Sequence, residues 1–108
     1  MIKILCSLRS ARLILVLTAL SGTVSAAPSV DDYTIELYDI YCTACHAVKA
    51  SGAPQAFTDE WRDRLDKGME TLVNHAINGV GNMPPMGTCV ECSAEDLENI
   101  IHYMAQEQ

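Results

Sequence analysis

Two cysteines and a histidine stand close together in the stretch Cys42-Thr43-Ala44-Cys45-His46. This is the C-x-x-C-H pattern of covalent haem attachment. One short turn can present both thiols to the two vinyl groups of a haem, and the imidazole that follows is a suitable axial ligand for its iron. A disulfide, half of a zinc site and a thioredoxin-like redox pair are the alternatives that these five residues leave open.

A haem bound through His46 has a second axial position, for which a methionine or another histidine is a candidate ligand. Met83 stands directly before Pro84 and Pro85, which stiffen the loop and favour an extended backbone at Met83. A stiff loop loses less conformational entropy when it holds a weak thioether ligand. Met86 shares this loop and remains an alternative on the residues alone. The other candidates lie on predicted helices, where packing or solvated roles are expected: Met69, Met104, His75 and His102.

The first residues of the chain have the pattern of a secretory signal peptide. Basic side chains precede and enter an apolar run at residues 13–20, and small residues follow it up to Ala26. Because the run is too short to span a bilayer comfortably, cleavage after Ala26 is the prediction, and a retained membrane anchor is the alternative. The sequence thus predicts a signal peptide at residues 1–26, one domain at residues 27–108 and a periplasmic location.

The predicted domain is small and strongly acidic. It contains about 82 residues, with all fourteen acids of the chain and four bases, which gives a formal charge of −10. This charge disfavours nucleic acid and anionic membrane surfaces as partners, and it is compatible with a basic protein partner. A core of this size is marginal, so a covalent cofactor at its centre is physically reasonable.

Apolar residues recur at helical spacing through much of the domain, and no strand alternation is visible. Asp31 or Asp32 is a suitable N-cap for a first helix that runs directly into Cys42. The inward face predicted for this helix consists of Tyr33, Leu37, Ile40 and Tyr41.

Three further helices are predicted, which makes an all-α domain of four helices. The second runs from Thr58 to Lys67, with Trp61 and Leu65 facing inward. The third occupies residues 69–78 and ends at glycine, a frequent helix stop.

The fourth predicted helix follows Ser93, which forms a box-like capping arrangement with Asp96. Its predicted buried side consists of Leu97, Ile100, Ile101 and Met104.

The haem motif, the Met83-Pro84-Pro85 loop and the final helix together resemble class I c-type cytochromes, over nearly all of residues 27–108. The segment from Met83 to Ser93 is similar to the subgroup called cytochrome c-five, in which a Met-Pro-Pro loop precedes a pair of cysteines. The resemblance implies a small helical fold wrapped around one covalent haem c.

The resemblance also implies roles for individual residues at the haem. Cys42 and Cys45 would form the thioethers, His46 would be the proximal ligand and Met83 the distal ligand. Pro54 matches the loop proline whose carbonyl accepts a hydrogen bond from the proximal imidazole, a contact that fixes the ring tautomer.

The resemblance extends to residues around the haem. Cys89 and Cys92 match the disulfide of the cytochrome c-five subgroup, and Trp61 and Arg64 match residues near the haem propionates. Similar loops usually carry a basic residue at the position of Met86, and its absence here removes the positive charge from which partner docking would be inferred.

One-electron transfer is the function that the resemblance implies. With both axial positions filled, no substrate binds to the iron, no catalysis is expected, and redox proteins dock transiently. A haem-bearing subunit or enzyme domain with an open distal site is the main alternative. A zinc module built on all four cysteines is disfavoured, because 43 residues separate the two pairs, well above the roughly 15–20 of a zinc ribbon.

Overall fold

Residues 30–106 are described by a computed structural model of the chain, and they contain five α-helices. The helices are α1 (Asp32–Tyr41), α2 (Thr43–His46), α3 (Arg62–Leu65), α4 (Met69–Asn78) and α5 (Ala94–Met104). Short 3₁₀ turns occupy Lys49–Ser51, Asp59–Trp61 and Pro85–Thr88. Within the described residues, β pairing is limited to one isolated bridge between Val80 and Met83. The all-α prediction is confirmed, and the additional helix is α2, the single turn formed by the cysteine-histidine motif.

Helices α1 and α5 each begin with a side chain that caps exposed backbone amides. Asp31 Oδ1 accepts a hydrogen bond from the Thr34 N–H at 2.7 Å. In α5, the Ser93 hydroxyl accepts from the Asp96 N–H, and the Asp96 carboxylate accepts from the Ser93 N–H and hydroxyl. These hydrogen bonds lower the pKa of the Asp96 carboxyl group, and the bond from the Ser93 N–H has the largest effect. Their contribution to stability is therefore present above the ordinary pKa and lost as the pH falls through the lowered one. Both predicted caps are confirmed.

The buried face of α1 differs from the predicted one. Thr34, Leu37 and Tyr38 are buried, whereas Tyr33 and Ile40 are 55% and 59% exposed. The prediction is therefore wrong for Tyr33 and Ile40. Hydrophobicity alone predicted that these two side chains face inward. Instead, α1 packs against α5 through the face that contains Tyr38.

Three aromatic rings explain why α1 turns that face towards α5. The rings of Tyr38, Phe57 and Tyr103 meet edge to face, with centroids 5.9, 5.3 and 5.0 Å apart. Such edge contacts are favoured by the charge distribution of the rings. The Phe57 N–H also donates to the Met104 carbonyl at 2.6 Å. This aromatic cluster joins α1, the loop that follows α2, and α5.

Helix α4 lies between two glycines and packs against α5. Gly68 and Gly79 have φ angles of +89° and +81°, a backbone region that favours glycine and ends regular helix. Leu72 and Ala76 are buried, and the predicted bounds of this helix are confirmed. The side of α5 that reaches the core is also the predicted one, with Leu97, Ile100, Ile101 and Met104 all buried.

The predicted second helix is shorter than expected and changes geometry along its length. A 3₁₀ turn at Asp59–Trp61 precedes α3, which ends at Leu65. Trp61 is buried as predicted, at 5% exposure, but Leu65 is 37% exposed. The tighter winding of the 3₁₀ turn breaks the regular α-helical periodicity on which the prediction for Leu65 depended, so that prediction is wrong.

Within residues 30–106, no helix combines the length and apolar character needed to cross a membrane. The signal peptide predicted at residues 1–26 lies outside the described residues.

We expect the core position Ile100 to contribute strongly to stability. Ile100 is 2% exposed, so Ile100→Ala should lower the free energy of unfolding by about 2–5 kcal/mol through lost burial and a residual cavity. Denaturant unfolding of the holoprotein measures this. Val90→Ala is the matched control, because Val90 is 90% exposed and its loss should change stability by no more than about 0.5 kcal/mol. Equal effects of the two variants would contradict the assigned core.

Candidate functional site

Cys42 lies between α1 and α2, as the C-cap of the first helix and the N-cap of the second. The Cys42 N–H donates to the Tyr38 carbonyl of α1 at 2.9 Å, and the Cys42 carbonyl accepts from the His46 N–H at 2.8 Å. Cys42, Cys45 and His46 thus occupy positions i, i+3 and i+4 of one helical turn, a spacing that brings side chains onto the same face. A single turn therefore presents two thiols and an imidazole together.

The two thiols of this turn differ in burial. Neither forms a disulfide with another described cysteine; Cys42 is half-buried and Cys45 is exposed. Burial, and to a smaller extent the nearby Cys45, raises the pKa of Cys42 to about 11. The Cys42 thiol is therefore protonated at neutral pH, whereas redox-active pairs depend on a thiolate. Thioredoxin-like pairs also belong to a strand–helix context, and residues 30–106 contain helices and one isolated β-bridge, so the thioredoxin-like alternative is disfavoured.

The His46 imidazole is held by the loop that follows α2. His46 is 8% exposed, and its Nδ1 lies 2.8 Å from the Pro54 carbonyl oxygen. Because a carbonyl only accepts, Nδ1 carries the hydrogen, and in the neutral imidazole Nε2 keeps its lone pair. The Ala56 N–H donates in turn to the His46 carbonyl at 2.8 Å. The loop thus binds both the ring and the backbone of His46 and selects the tautomer that a metal ligand requires.

The indole ring of Trp61 packs beside this imidazole. Its ring centroid lies 5.8 Å from that of His46, with the ring planes tilted by 35°. Its indole N–H donates to the Gln55 carbonyl at 2.9 Å. Arg64, one turn further on, is half-buried and donates from its guanidinium to the Glu60 carbonyl. The haem-propionate contacts expected of Trp61 and Arg64 stay predictions.

The loop after α4 holds Met83 through its backbone. Val80 and Met83 exchange two backbone hydrogen bonds, of 3.1 and 2.9 Å. A Cβ atom on Gly79 would lie 2.8 Å from the Met83 carbonyl oxygen, so the close approach of these two segments requires glycine. The Met83 side chain is half-buried and packs against the core. A Cβ atom placed on Gly87 would lie 3.3 Å from the Cε of Met83.

Met86 occupies a different backbone environment in the same loop. Its φ angle is +61°, in the left-handed region that residues other than glycine adopt rarely. Its side chain is also half-buried against the core. Both thioethers are therefore part of the loop, and the choice of Met83 over Met86 as a ligand stays a prediction.

A disulfide joins Cys89 to Cys92, with an S–S distance of 1.99 Å and both residues buried. The Cys89 N–H donates to the Met86 carbonyl at 3.0 Å, and Ser93, the cap of α5, follows Cys92 directly. The bridge thus links the methionine loop to α5. It also removes two of the thiolates that a four-cysteine zinc module would need, and residues 30–106 contain no group of three or more His, Cys, Asp or Glu side chains able to hold a metal.

A contact that sequence reasoning missed joins the two halves of this region. The Tyr41 hydroxyl donates to Glu91 Oε1 at 2.7 Å, across fifty positions of the chain. This hydrogen bond is the main reason that the pKa of Tyr41 is raised. Tyr41 directly precedes Cys42, and Glu91 lies within the disulfide ring. The bond therefore links the cysteine-histidine turn to the methionine side of the molecule.

The other candidate ligands lie at the buried and exposed positions predicted for them. Met104 is buried in the core at 3% exposure, and Met69 packs against that core. His75 and His102 are exposed, and His102 Nε2 lies 3.9 Å from Glu98 Oε1. The expected packing and solvated positions are confirmed.

This donor set fits a covalently bound haem. Two thiols on one turn suit its vinyl groups, the Nε2 lone pair of His46 suits its iron, and the loop after α4 contains the thioethers of Met83 and Met86.

Comparison with known proteins identifies the family. The family model described as cytochrome c oxidase, cbb3-type, subunit III matches residues 35–104. Cytochrome c5 of Ectopseudomonas mendocina is 37% identical over 82 residues, which cover 73% of this chain and 90% of that protein. This chain belongs to the class I c-type cytochromes, close to cytochrome c5. As a member of that family it carries one covalently bound haem c, which confirms the predicted family and cofactor.

Other similar proteins agree with this assignment of the cytochrome. Cytochrome c5 of Azotobacter vinelandii is 35% identical over 68 residues, covering 60% of this chain and 82% of that protein. A mono-haem ferrocytochrome c of Shewanella putrefaciens matches with a TM-score of 0.61 and 35% identity, over 76% of this chain and 100% of that one. A chain from the electron transfer complex of nitrite reductase with cytochrome c matches with a TM-score of 0.64 and 28% identity, over 71% of this chain and 95% of that one.

We expect the Cys89–Cys92 bridge to stabilise the methionine loop of this cytochrome. The ring is short, so replacing both cysteines by serine should lower the free energy of unfolding by roughly 2 kcal/mol in the chain-entropy model. Differential scanning calorimetry of the holoprotein should show a lower melting temperature. Alkylation of the native protein without reductant should label neither cysteine, whereas prior reduction should add two labels. An unchanged melting curve would show that the bridge does not brace the loop.

Proposed function

We propose that this cytochrome is an exported one-electron carrier in which Cys42 and Cys45 hold the haem and His46 and Met83 are the axial ligands. The observation that carries the proposal is the side-chain contact made by His46. Its Nδ1–H is bonded to the Pro54 carbonyl at 2.8 Å, which leaves Nε2 as the nitrogen for iron. The same helical turn carries the two thiols that a haem c requires.

The proximal residues would do more than supply a nitrogen lone pair. The Pro54 carbonyl withdraws the Nδ1 proton slightly from the ring and so makes Nε2 a stronger donor. Burial of His46 and the adjacent Trp61 indole would keep water away from this bond. The bound haem supplies one-electron chemistry at its iron, and a histidine-methionine ligand pair raises the reduction potential.

Support for Met83 as the distal ligand comes from its backbone. The paired hydrogen bonds with Val80 and the two prolines that follow hold Met83 in place before it binds iron. A preorganised loop offsets the weakness of a thioether–iron bond, because little conformational entropy remains to be lost. Met86, at a positive φ, has no such backbone pairing with Val80. With both axial positions filled, no site for a substrate remains on the iron, so the proposed role is a carrier and not an enzyme.

Redox proteins are the proposed partners of this carrier, bound transiently. One structural relative is taken from the electron transfer complex of nitrite reductase with cytochrome c, which supports docking of this fold onto a redox enzyme. The acidic balance of residues 27–108, with fourteen acids against four bases, favours a partner with a basic docking surface. Export rests on the signal-peptide pattern at residues 1–26, which gives a periplasmic carrier once the segment is removed.

Covalent attachment through both cysteines predicts that haem stays with the polypeptide in acid-acetone. Replacing either Cys42 or Cys45 by alanine should leave one thioether, and replacing both should allow the haem to be extracted. Mass spectrometry of the denatured protein measures the result as one haem mass added to the parent chain. Free extraction from the parent protein would rule out the proposed attachment.

The two methionines of the loop can be separated by substitution. Met83→Ala should abolish the weak far-red band of methionine-bound ferric haem, open the iron to carbon monoxide and lower the reduction potential. Met86→Ala should keep the band and exclude carbon monoxide, and it serves as the matched control in the same loop. Absorption spectra and potentiometric titration measure both effects. The opposite pattern would assign the distal position to Met86.

A further inference from the structure

Gln55 lies between the two residues that hold the proximal histidine, and sequence reasoning did not single it out. On one side of it, the Pro54 carbonyl accepts from His46 Nδ1 at 2.8 Å. On the other, the Ala56 N–H donates to the His46 carbonyl at 2.8 Å. Any rotation of the backbone at Gln55 would move both contacts, so this residue is placed to control the orientation of the imidazole.

The Gln55 side chain donates hydrogen bonds to backbone carbonyls of the surrounding loop. Its Nε2 donates to the Ala53 carbonyl at 2.8 Å and to the Val48 carbonyl at 3.2 Å, and it lies 3.5 Å from the Cys45 carbonyl. A primary amide has two hydrogens, so the two shorter bonds are the principal ones. They tie the residue before Pro54 to the chain just after the cysteine-histidine turn. These two hydrogen bonds therefore fix the direction of the Pro54 carbonyl.

The backbone of Gln55 is fixed as well. Its carbonyl accepts from the Thr58 hydroxyl at 2.8 Å and from the Trp61 indole N–H at 2.9 Å. Its N–H donates to Glu60 Oε2 at 3.4 Å. Through its side chain and its backbone, Gln55 thus connects the start of the loop, Pro54 and the indole ring of Trp61.

We infer that Gln55 is a positioning residue that fixes the Pro54 carbonyl against His46 Nδ1 and thereby tunes the reduction potential. The inference rests on the proposed role of His46 as the proximal ligand. A firm Nδ1–H···O bond gives the imidazole partial imidazolate character, which stabilises ferric iron and lowers the potential. Loss of the Gln55 amide bonds loosens the loop, weakens this bond and raises the potential.

The test is Gln55→Met, which keeps the length of the side chain and removes its hydrogen-bond donor. Two readouts are measured on the holoprotein: the exchange of the His46 Nδ1 hydrogen with solvent, by NMR of the reduced form, and the reduction potential. Since two neutral hydrogen bonds are lost, exchange should become on the order of tenfold faster, and the potential should rise. The covalent haem and the far-red methionine band should both persist.

Two controls separate positioning from general effects. Gln106→Met makes the same chemical change at an exposed site beyond α5 and should leave both readouts unchanged. Ser51→Ala removes the hydroxyl bonds to the Cys45 carbonyl and the Ala53 N–H, which loosens the same loop without touching Gln55. It should change the exchange rate less than Gln55→Met does. Equal effects of the two loop variants would overturn the inference.

A variant with the amide retained covers the case in which Gln55→Met does not acquire haem. Gln55→Asn keeps the donor but is one methylene shorter, so it should shift both readouts in the same direction by a smaller amount. Unchanged exchange and potential in Gln55→Met, or in Gln55→Asn if the first variant does not form, would overturn the role of Gln55 alone. Absence of histidine-methionine spectra from the parent protein would instead overturn the proposed ligation.

Discussion

The hydrogen bond from His46 Nδ1 to the Pro54 carbonyl is the contact on which the candidate site depends. It satisfies the only polar hydrogen of a ring that is 8% exposed, and it decides which nitrogen is available for a metal. The loop that provides this carbonyl is not free to move, because its far end is tied to α5 through the Phe57 N–H and the Met104 carbonyl. The position of the imidazole ring is therefore set by the packing of this loop against α5, even though the hydrogen bond to Pro54 is itself local.

Features with a local physical cause could be predicted from the sequence. The cysteine-histidine spacing, the Asp31 and Ser93 caps and the glycines around α4 each act within a few residues, so their effect is visible in a single window. The predictions for Tyr33, Ile40 and Leu65 failed because burial depends on where a partner element lies. The position of α5 and the 3₁₀ turn before α3 are not encoded in the periodicity of these segments.

The candidate site divides in the same way. Its thiols, imidazole and thioethers were predicted because few residue types can bind haem, and their order along the chain is informative. Gln55 and the Tyr41–Glu91 pair were missed because glutamine, tyrosine and glutamate have many uses, and no spacing marks them. Glu91 lies fifty positions from Tyr41, so only the folded chain shows that they meet.

The Tyr41–Glu91 bond has a consequence for how the molecule fluctuates. Through it, the residue before Cys42 is joined to the ring closed by Cys89 and Cys92, and that ring is joined through Cys89 to the loop of Met83 and Met86. Segments connected in this manner cannot separate without breaking the shared bond, which restrains their motion relative to each other. An electron carrier benefits from such coupling. If the cysteine-histidine turn and the methionine loop both keep their positions when the charge of the haem changes by one, little nuclear rearrangement accompanies each transfer.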